Sequence, residues 1–295
     1  MKKIFKRLIV FFVGLPVLLS VVIFFPQCNH LLLNILIVVF AVLGAVEFRN
    51  ILSKKVPMVT LAETVILGAL VPAAWTLTVS LGGQARLGSK ALAGAGLAQG
   101  AVVLGAAWLL VSGIFRSKDK FDSYIGQTIT GFSLMTYPGF FLAYIIRMAL
   151  FREASLVILI FILTALLNDA FAWAAGILFG KNNRGFFAAS PNKSLAGFAG
   201  GLAASLLTGM AAAALFPDAF TSAAMPSIPA GAILGLVAGL AATLGDLGES
   251  AIKRSAGVKD SGTLILGRGG ALDSIDSLVL AAPVYYMLYQ ILFVK

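Results

Sequence analysis

A chain of 295 residues that is 60% hydrophobic and only 12% charged carries more apolar surface than one soluble core of that size could bury. The single histidine, His30, excludes a His-rich metal cluster and a histidine-based triad, and the lone Cys28 excludes an internal disulfide. The formal net charge of +10 follows the usual basic bias of membrane proteins, so it gives no reason to propose a nucleic-acid partner. The composition therefore predicts an integral membrane protein.

Nine apolar runs have about the length, roughly 20 residues, that crosses a bilayer as an α-helix. They cover residues 8–25, 31–46, 58–81, 91–115, 125–146, 154–179, 195–216, 228–245 and 277–294. The first follows a basic stretch, as in a signal peptide, but Phe24-Phe25-Pro26 offers no small-residue cleavage site, so we predict a retained anchor. Barrel strands alternate in polarity and these runs do not, so the predicted fold is all-α and polytopic.

The Lys and Arg residues are distributed unevenly between the connections of these runs. With the N-terminus in the cytoplasm, most of the 22 basic residues fall on the cytoplasmic side, which is the sense expected for an inner-membrane protein. The long polar connections 180–194 and 246–276 are then cytoplasmic, so we expect any chemistry to face the cytoplasm. We predict an N-terminal transmembrane bundle over 1–150 and a C-terminal catalytic region over 151–295.

Two acidic residues, Glu47 and Glu63, lie in or beside the first apolar runs. Glu47 lies at a predicted cytoplasmic helix end close to Arg49, which favours a solvated ion pair. Glu63 lies within its run, where a site and a structural role are equally favoured.

Residues 168–197 contain a first group of polar residues in an apolar setting. Asp169 lies deep in the sixth run, and a carboxylate there favours a functional role or a polar lock between helices. Residues 176–181 superficially suggest a phosphate-binding P-loop, but the spacing is too short and Asn182 replaces the required Ser or Thr. Glycines at four-residue spacing in the seventh and eighth runs predict close helix packing. These are Gly197, Gly201, Gly231, Gly235 and Gly239.

The stretch 245–276 is the most informative part of the chain. If 246–254 is helical, one face carries a carboxylate, a hydroxyl and two cations, and two further carboxylates share a face at the start of the last helix. The first set is Asp246, Ser250, Lys253 and Arg254, and the second is Asp273 and Asp276. A solvated charged loop is the plain alternative, but the charges alternate with glycines and Asp246 is predicted to end an apolar helix, where ionisable residues tend to be functional.

This pattern favours a divalent-metal nucleotide site. Carboxylates in excess repel each other unless a hard cation lies between them, and Mg²⁺ typically takes one or two carboxylates together with phosphate oxygens. The neighbouring Lys and Arg side chains would neutralise phosphates, and the turn at 267–270 could direct backbone N–H groups at one.

At these residues the chain resembles the bacterial phosphatidate cytidylyltransferases, also called CDP-diacylglycerol synthases. The C-terminal signature of that family is matched in spacing by Ser250, Lys253-Arg254, Lys259-Asp260, Gly269-Gly270, Asp273 and Asp276. Its upstream motifs resemble Asp169 with the following Phe-Ala-Trp, Phe179-Gly180-Lys181, and Ser190-Pro191-Asn192-Lys193-Ser194. The resemblance covers about 165–295 in motifs and the front half only in general hydropathy.

The resemblance implies a role for each matched residue. Asp246 and Asp273 are the expected Mg²⁺ ligands, with Asp260 and Asp276 supporting them or binding a second cation. The expected catalytic set is Asp246, Asp273, Lys253, Lys259 and Asp260. The expected substrate-binding set is Asp169, Ser190, Asn192, Lys193, Ser250, Arg254, Arg268, Gly269 and Gly270.

Four positions depart from the family pattern. Arg268 replaces a His, Ser274 replaces an Arg, Leu266 stands where Pro is usual, and Ala196 stands where Glu or Gln is common. All the expected metal carboxylates are kept, so the departures put the lipid acceptor in question and leave the phosphoryl chemistry intact.

The implied reaction converts CTP and phosphatidate, or a related phospholipid, into CDP-diacylglycerol and pyrophosphate. The expected partners are these substrates and membrane lipids, and a homodimer stays open. A CTP-dependent kinase of a polyprenol-type lipid is the alternative enzyme. A secondary transporter is the alternative outside enzymes, although no inverted repeat is visible and the dense stretch 246–276 would have no explanation.

Overall fold

The computed structural model describes residues 13–81, 89–116, 121–222, 225–265, 267 and 269–294. Every regular element in these ranges is helical, and the only strand-like pairings there are two isolated bridges, Arg184 with Ser194 and Ile265 with Gly269. The predicted all-α fold is confirmed.

Eleven α-helices follow one another in the described ranges. They are α1 (Leu15–Phe24), α2 (Gln27–Leu52), α3 (Leu61–Leu81), α4 (Ser89–Arg116), α5 (Tyr124–Leu134), α6 (Phe141–Met148), α7 (Ala154–Phe179), α8 (Leu195–Leu215), α9 (Pro217–Phe220), α10 (Ser227–Ser255) and α11 (Leu272–Phe293). A π-helical segment, Met135–Phe140, joins α5 to α6 and contains Pro138. Proline lacks the N–H that a regular α-helical turn requires there, which accounts for the irregular turn.

Eight spans in the described residues are long and apolar enough to cross a membrane, with α5 and α6 together forming one of them. The chain is therefore a multi-pass membrane protein. The first predicted run, 8–25, lies partly outside the described residues, and its described part is the ten-residue α1. The count of nine stays a prediction.

The helix α10 is longer than its apolar run predicts. It continues past residue 245 to Ser255, so Asp246 lies inside the helix and the expectation that it ends the helix is wrong. The segment predicted as one loop, 246–276, is the end of α10, a connection over 256–271 and the start of α11. Hydropathy marks where the apolar sequence stops, whereas the helix itself continues on polar pairs spaced four residues apart, such as Glu249 with Lys253.

The chain divides into two compact units. The first comprises Met1–Leu150 and Ala256–Ser274, and within it α3 packs against α2 and α4. The second comprises Phe151–Ser255 and Ile275–Lys295, and within it α8 packs against α7 and α10.

Glycines bring α8 and α10 close together in the second unit. A Cβ atom at Gly235 would overlap the backbone carbonyl of Ser205, and one at Gly209 would overlap that of Gly231. On the other side of α8, Gly201 lies directly against Asn168 of α7. The predicted packing role of the glycines is therefore confirmed.

Candidate active site

The buried polar contact between α7 and α10 belongs to Asn168. Its amide donates to the carbonyl of Gly239 at 2.6 Å and to Oγ1 of Thr243 at 3.2 Å, with the Asn168 side chain almost wholly buried. Asp169, the next residue, is exposed, and its Oδ2 accepts from the hydroxyl of Ser277 at 3.4 Å. Asn168 thus links α7 to α10, and Asp169 links α7 to α11.

The connection 180–194 places Lys193 against α10. A turn closed by the N–H of Lys193 on the carbonyl of Ser190 (3.0 Å) precedes Ser194, whose hydroxyl caps α8 by accepting from the N–H of Gly197 (3.0 Å). The ammonium group of Lys193 then lies 2.6 Å from Oδ2 of Asp246. The two side chains are 31% and 27% exposed, so a ligand in solution can still reach them.

The last turns of α10 carry further polar groups beside Asp246. The hydroxyl of Ser250 lies 3.4 Å from Oδ1 of Asp246, and Lys253 forms an ion pair with Glu249 at 3.2 Å. The Glu249 side chain is completely buried, whereas Arg254 is exposed. The predicted helix over 246–254 is thus confirmed. The four side chains predicted to share one face are not in one environment, because Lys253 is buried and Arg254 is exposed to solvent.

Asp276 of α11 completes a cluster of acids in the second unit. Its carboxylate interacts with those of Asp246, Glu249 and Asp169, and its Oδ1 accepts from the N–H of Ser277 at 2.6 Å. Four carboxylates therefore lie close together, with the ammonium groups of Lys193 and Lys253 beside them. We call this group, Asp169, Lys193, Asp246, Glu249, Lys253 and Asp276, the acidic cluster.

Glu249 is the member of the acidic cluster that the sequence analysis did not single out. It lies three residues after Asp246 and four before Lys253, so helical spacing alone places it on the face already identified. The spacing of Glu249 from Asp246 and Lys253 was therefore sufficient to identify it from the sequence.

Asp273 lies in the first unit, where backbone groups of the connection 256–271 hold it. Its Oδ2 accepts from the N–H groups of Ser261 (2.9 Å) and Gly270 (2.7 Å). Gly269, with φ +118°, adopts a conformation that favours glycine, and its N–H donates to the carbonyl of Ile265 at 3.1 Å. The N–H groups of Gly269 and Gly270, expected to bind a phosphate, are thus directed at protein acceptors.

Glu47 is buried and binds the same connection from α2. Its carboxylate accepts from the hydroxyl of Ser261 (2.9 Å) and from the N–H groups of Ala271 (3.0 Å) and Leu272 (2.8 Å). Arg49 donates its Nε–H to the carbonyl of Val59 at 3.1 Å. The expectation of a solvated Glu47 ion pair is therefore wrong, because the carboxylate is buried and its hydrogen-bond donors lie more than 200 residues further along the chain.

Glu63 has a structural role at the start of α3. Its Oε2 accepts from the N–H (3.0 Å) and hydroxyl (2.9 Å) of Thr60, while the N–H of Glu63 lies 3.3 Å from that hydroxyl. This reciprocal arrangement is a capping box. The Oε1 atom of Glu63 accepts from the indole N–H of Trp108 at 2.8 Å. These structural hydrogen bonds explain why an acidic side chain is buried at this position.

The other predicted site residues and the departures from the family pattern lie in varied places. Lys259, Asp260 and Asn192 are exposed and Ser190 is partly exposed. Ser274 donates its hydroxyl to the carbonyl of Gly270 at 3.2 Å, and the N–H of Ala196 lies 3.4 Å from Oδ1 of Asn183. Arg268 and Leu266 fall outside the described residues.

The donor set of the acidic cluster fits a hard divalent cation in chemistry and charge, since carboxylate oxygens outnumber the ammonium groups beside them. In the described part of the chain, no three His, Cys, Asp or Glu side chains are arranged to bind one metal ion together. Mg²⁺ commonly uses one or two protein carboxylates and completes its shell with water and substrate phosphates, so this arrangement suits a metal that arrives with a nucleotide.

Asp246 and Asp273, the two expected metal ligands, belong to different compact units. Their convergence on one metal stays a prediction.

The membrane-spanning helices and the cluster of carboxylates and lysines define a multi-pass membrane protein with a group of charged side chains in its second unit. The sequence model of the cytidylyltransferase family matches residues 5–292. The chain belongs to this family, and it is a nucleotide-transferring membrane enzyme.

Several relatives carry the name phosphatidate cytidylyltransferase, including the following three. The chain is 33% identical to the protein of Thermotoga maritima over 188 residues, which cover 62% of this chain and 68% of that protein. It is 41% identical to the Synechocystis protein over 137 residues, covering 44% and 45%, and 34% identical to the Aquifex aeolicus protein over 156 residues, covering 52% and 54%. For the last two, the match spans about half of the relative's length.

Proposed function

We propose that this chain is a CTP:phosphatidate cytidylyltransferase that makes CDP-diacylglycerol in phospholipid biosynthesis. The family membership and the names of its relatives support the reaction. The observation that carries it is the ion pair of Lys193 with Asp246 beside Asp276, because Lys193 and Asp276 come from two matched motifs and Asp246, an expected metal ligand, interacts with both.

The reaction needs one bond to form and one to break. A phosphate oxygen of phosphatidate attacks the α-phosphorus of CTP, and the bond from that phosphorus to the bridging oxygen of the β-phosphate breaks. Pyrophosphate leaves with that bonding electron pair. An ionised phosphate monoester needs no general base, which agrees with a chain whose only histidine lies far from these motifs.

The protein's contribution is positioning and charge neutralisation. In this proposal Lys193, Lys253, Arg254 and Lys259 hold phosphate groups, with Arg268 nearby in sequence. Asp246 and Asp273 hold Mg²⁺, and Asp260 and Asp276 support it or bind a second cation. When bound, the metal stabilises the charge that develops on the phosphate oxygens.

We further propose that the site faces the cytoplasm of a bacterial inner membrane. The basic residues of 180–194 and 246–276 support this side, and CTP is available there. Phosphatidate would reach the site sideways, between helices, because its acyl chains stay in the bilayer.

The test is a product assay on the purified full-length chain. Labelled CTP and Mg²⁺ with phosphatidate should yield CDP-lipid and pyrophosphate, and a polyprenol in place of phosphatidate should yield no product. Formation of lipid phosphate and CDP from the polyprenol would instead establish the kinase.

The metal assignment has its own test. Asp246→Asn and Asp273→Asn keep the side-chain size and remove one charge, so the protein should fold while turnover falls roughly a hundredfold or more. Asp122→Asn, an exposed acid outside both motifs, is the matched control and should lose little. Near-normal Mg²⁺-dependent CTP consumption by folded Asp246→Asn and Asp273→Asn proteins would contradict the assignment.

A further inference from the structure

The buried carboxylate of Glu47 makes all of its described hydrogen bonds to one segment. Its oxygens accept from Ser261, Ala271 and Leu272 at 2.8 to 3.0 Å: Ser261 lies within the connection 256–271, Ala271 is its last residue and Leu272 begins α11. Glu47 is 9% exposed and comes from α2, more than 200 residues earlier. One side chain therefore ties the middle and the end of this connection to α2.

The backbone of the connection is shaped around this carboxylate. A Cβ atom at Gly262 or at Gly270 would overlap the Glu47 carboxylate, so the main chain approaches it at two points where only glycine leaves room. Ala271 and Leu272 are themselves buried. The two N–H groups that Glu47 accepts are among those a helix start leaves unpaired, and a negative charge is favourable there.

Ser261 links Glu47 to Asp273. Its hydroxyl donates to Oε2 of Glu47 at 2.9 Å and accepts from the N–H of Asp273 at 3.2 Å. Its own N–H donates to Oδ2 of Asp273 at 2.9 Å. A change at Glu47 is therefore transmitted to the Asp273 carboxylate through one residue that bonds to both.

We propose that Glu47 is a positioning residue for the transferase reaction: it fixes the connection 256–271 and thereby the orientation of Asp273. This inference rests on the proposed function for its effect on turnover, whereas its structural part does not. In this role Glu47 need contact neither the nucleotide nor the lipid. It acts by holding the backbone that aims Asp273.

Glu47→Gln tests the role with little change of shape. Glutamine has one carbonyl oxygen where three donors now meet two carboxylate oxygens, so the N–H of Ala271 or that of Leu272 would face an NH₂ group. We expect kcat to fall at least tenfold, with a smaller change in KM for CTP, because a metal ligand is misaligned while the phosphate-binding lysines are kept. Glu63→Gln is the matched control: a buried glutamate of the same unit, bonded to Thr60 and Trp108, which should keep kcat within about twofold.

Two further measurements separate positioning from general stability. In an Asp273→Asn background, adding Glu47→Gln should lower kcat by less than about a further twofold, because the carboxylate that Glu47 positions is already lost. Hydrogen–deuterium exchange on the full-length protein in detergent should become faster over 256–274 in Glu47→Gln and stay unchanged over 195–215. If Glu47→Gln does not accumulate, Ser261→Ala removes the hydroxyl that joins Glu47 to the N–H of Asp273, keeps the N–H of residue 261, and is expected to give the same two results.

Each outcome decides the proposal. Full additivity of the two substitutions, unchanged exchange over 256–274, or faster exchange with kcat within twofold of wild type would overturn it. If the wild-type chain makes no CDP-lipid, the proposed function fails instead. The exchange comparison then decides on its own whether Glu47 holds the connection.

Discussion

At the scale of single residues, the ion pair of Lys193 and Asp246 matters for its position more than for its strength. The two groups meet at 2.6 Å, but each is more than a quarter exposed, and ion pairs reached by solvent add little to folding stability. A short contact with no large stability role, between an expected phosphate ligand and an expected metal ligand, favours groups that exchange partners when a charged substrate binds.

Lys193→Met should therefore affect catalysis far more than stability. Removing the ammonium group eliminates a phosphate partner and leaves Asp246 without its counter-charge, so we expect kcat/KM for CTP to fall by tenfold or more, while Tm in detergent shifts by only a few degrees. Lys55→Met removes an exposed lysine outside the motifs and serves as the control. Equal kcat/KM values for the two variants would contradict a role of Lys193 in substrate binding.

The two buried glutamates of the first unit show which residue roles can be predicted from sequence. The partner of Glu63 is Thr60, three positions earlier, and this spacing is itself the signature of a capping box. The partners of Glu47 come from a connection 214 and more positions away, so no local pattern identifies them. Arg49, two residues from Glu47, suggested an ion pair that the fold does not form, because its Nε–H donates to Val59.

At the scale of helices, the length of an apolar run predicts that a helix is present more accurately than it predicts the residue at which the helix ends. The run 154–179 coincides with α7, since Glu153 precedes it and Gly180 follows it. By contrast, α10 extends ten residues beyond its predicted end, because a helix that leaves the bilayer can continue on polar residues. That extension carries Ser250 and Lys253, so an error in a boundary changes the local geometry of the site.

The close approach of α8 and α10 gives a prediction for their glycines. In Gly235→Ala the new methyl group would overlap the Ser205 carbonyl, a backbone atom that cannot move away cheaply. Overpacking of this kind costs about 1–3 kcal/mol, so Tm in detergent should fall by several degrees. Gly248→Ala, on the same helix with no atom within 4 Å of the new methyl group, should be neutral or slightly stabilising. A similar loss of Tm in both variants would show that packing against α8 is not the cause.

At the scale of the whole molecule, the membrane explains why so much of the fold could be predicted. Unpaired backbone groups are excluded from hydrocarbon, so an apolar run of sufficient length is a helix whatever its neighbours are. Helix pairing follows no such rule: the assignment of 256–274 to the same compact unit as residues 1–150 depends on contacts such as those of Glu47, which the linear sequence does not encode locally.

Topology gives the last prediction, and it concerns both polar stretches together. Exactly two membrane-crossing helices, α8 and α10, lie between residue 185 and residue 258 in the described part of the chain, so these positions must lie on the same side, with residue 222 on the other. The basic residues of 180–194 and 246–276 place the shared side in the cytoplasm. A fluorescent-protein fusion after 185 or 258 should fluoresce and one after 222 should not, while an alkaline phosphatase fusion should be active only after 222. Opposite results at 185 and 258 would contradict the two-helix count, and phosphatase activity at both would reverse the orientation and remove the proposed access of CTP from the cytoplasm.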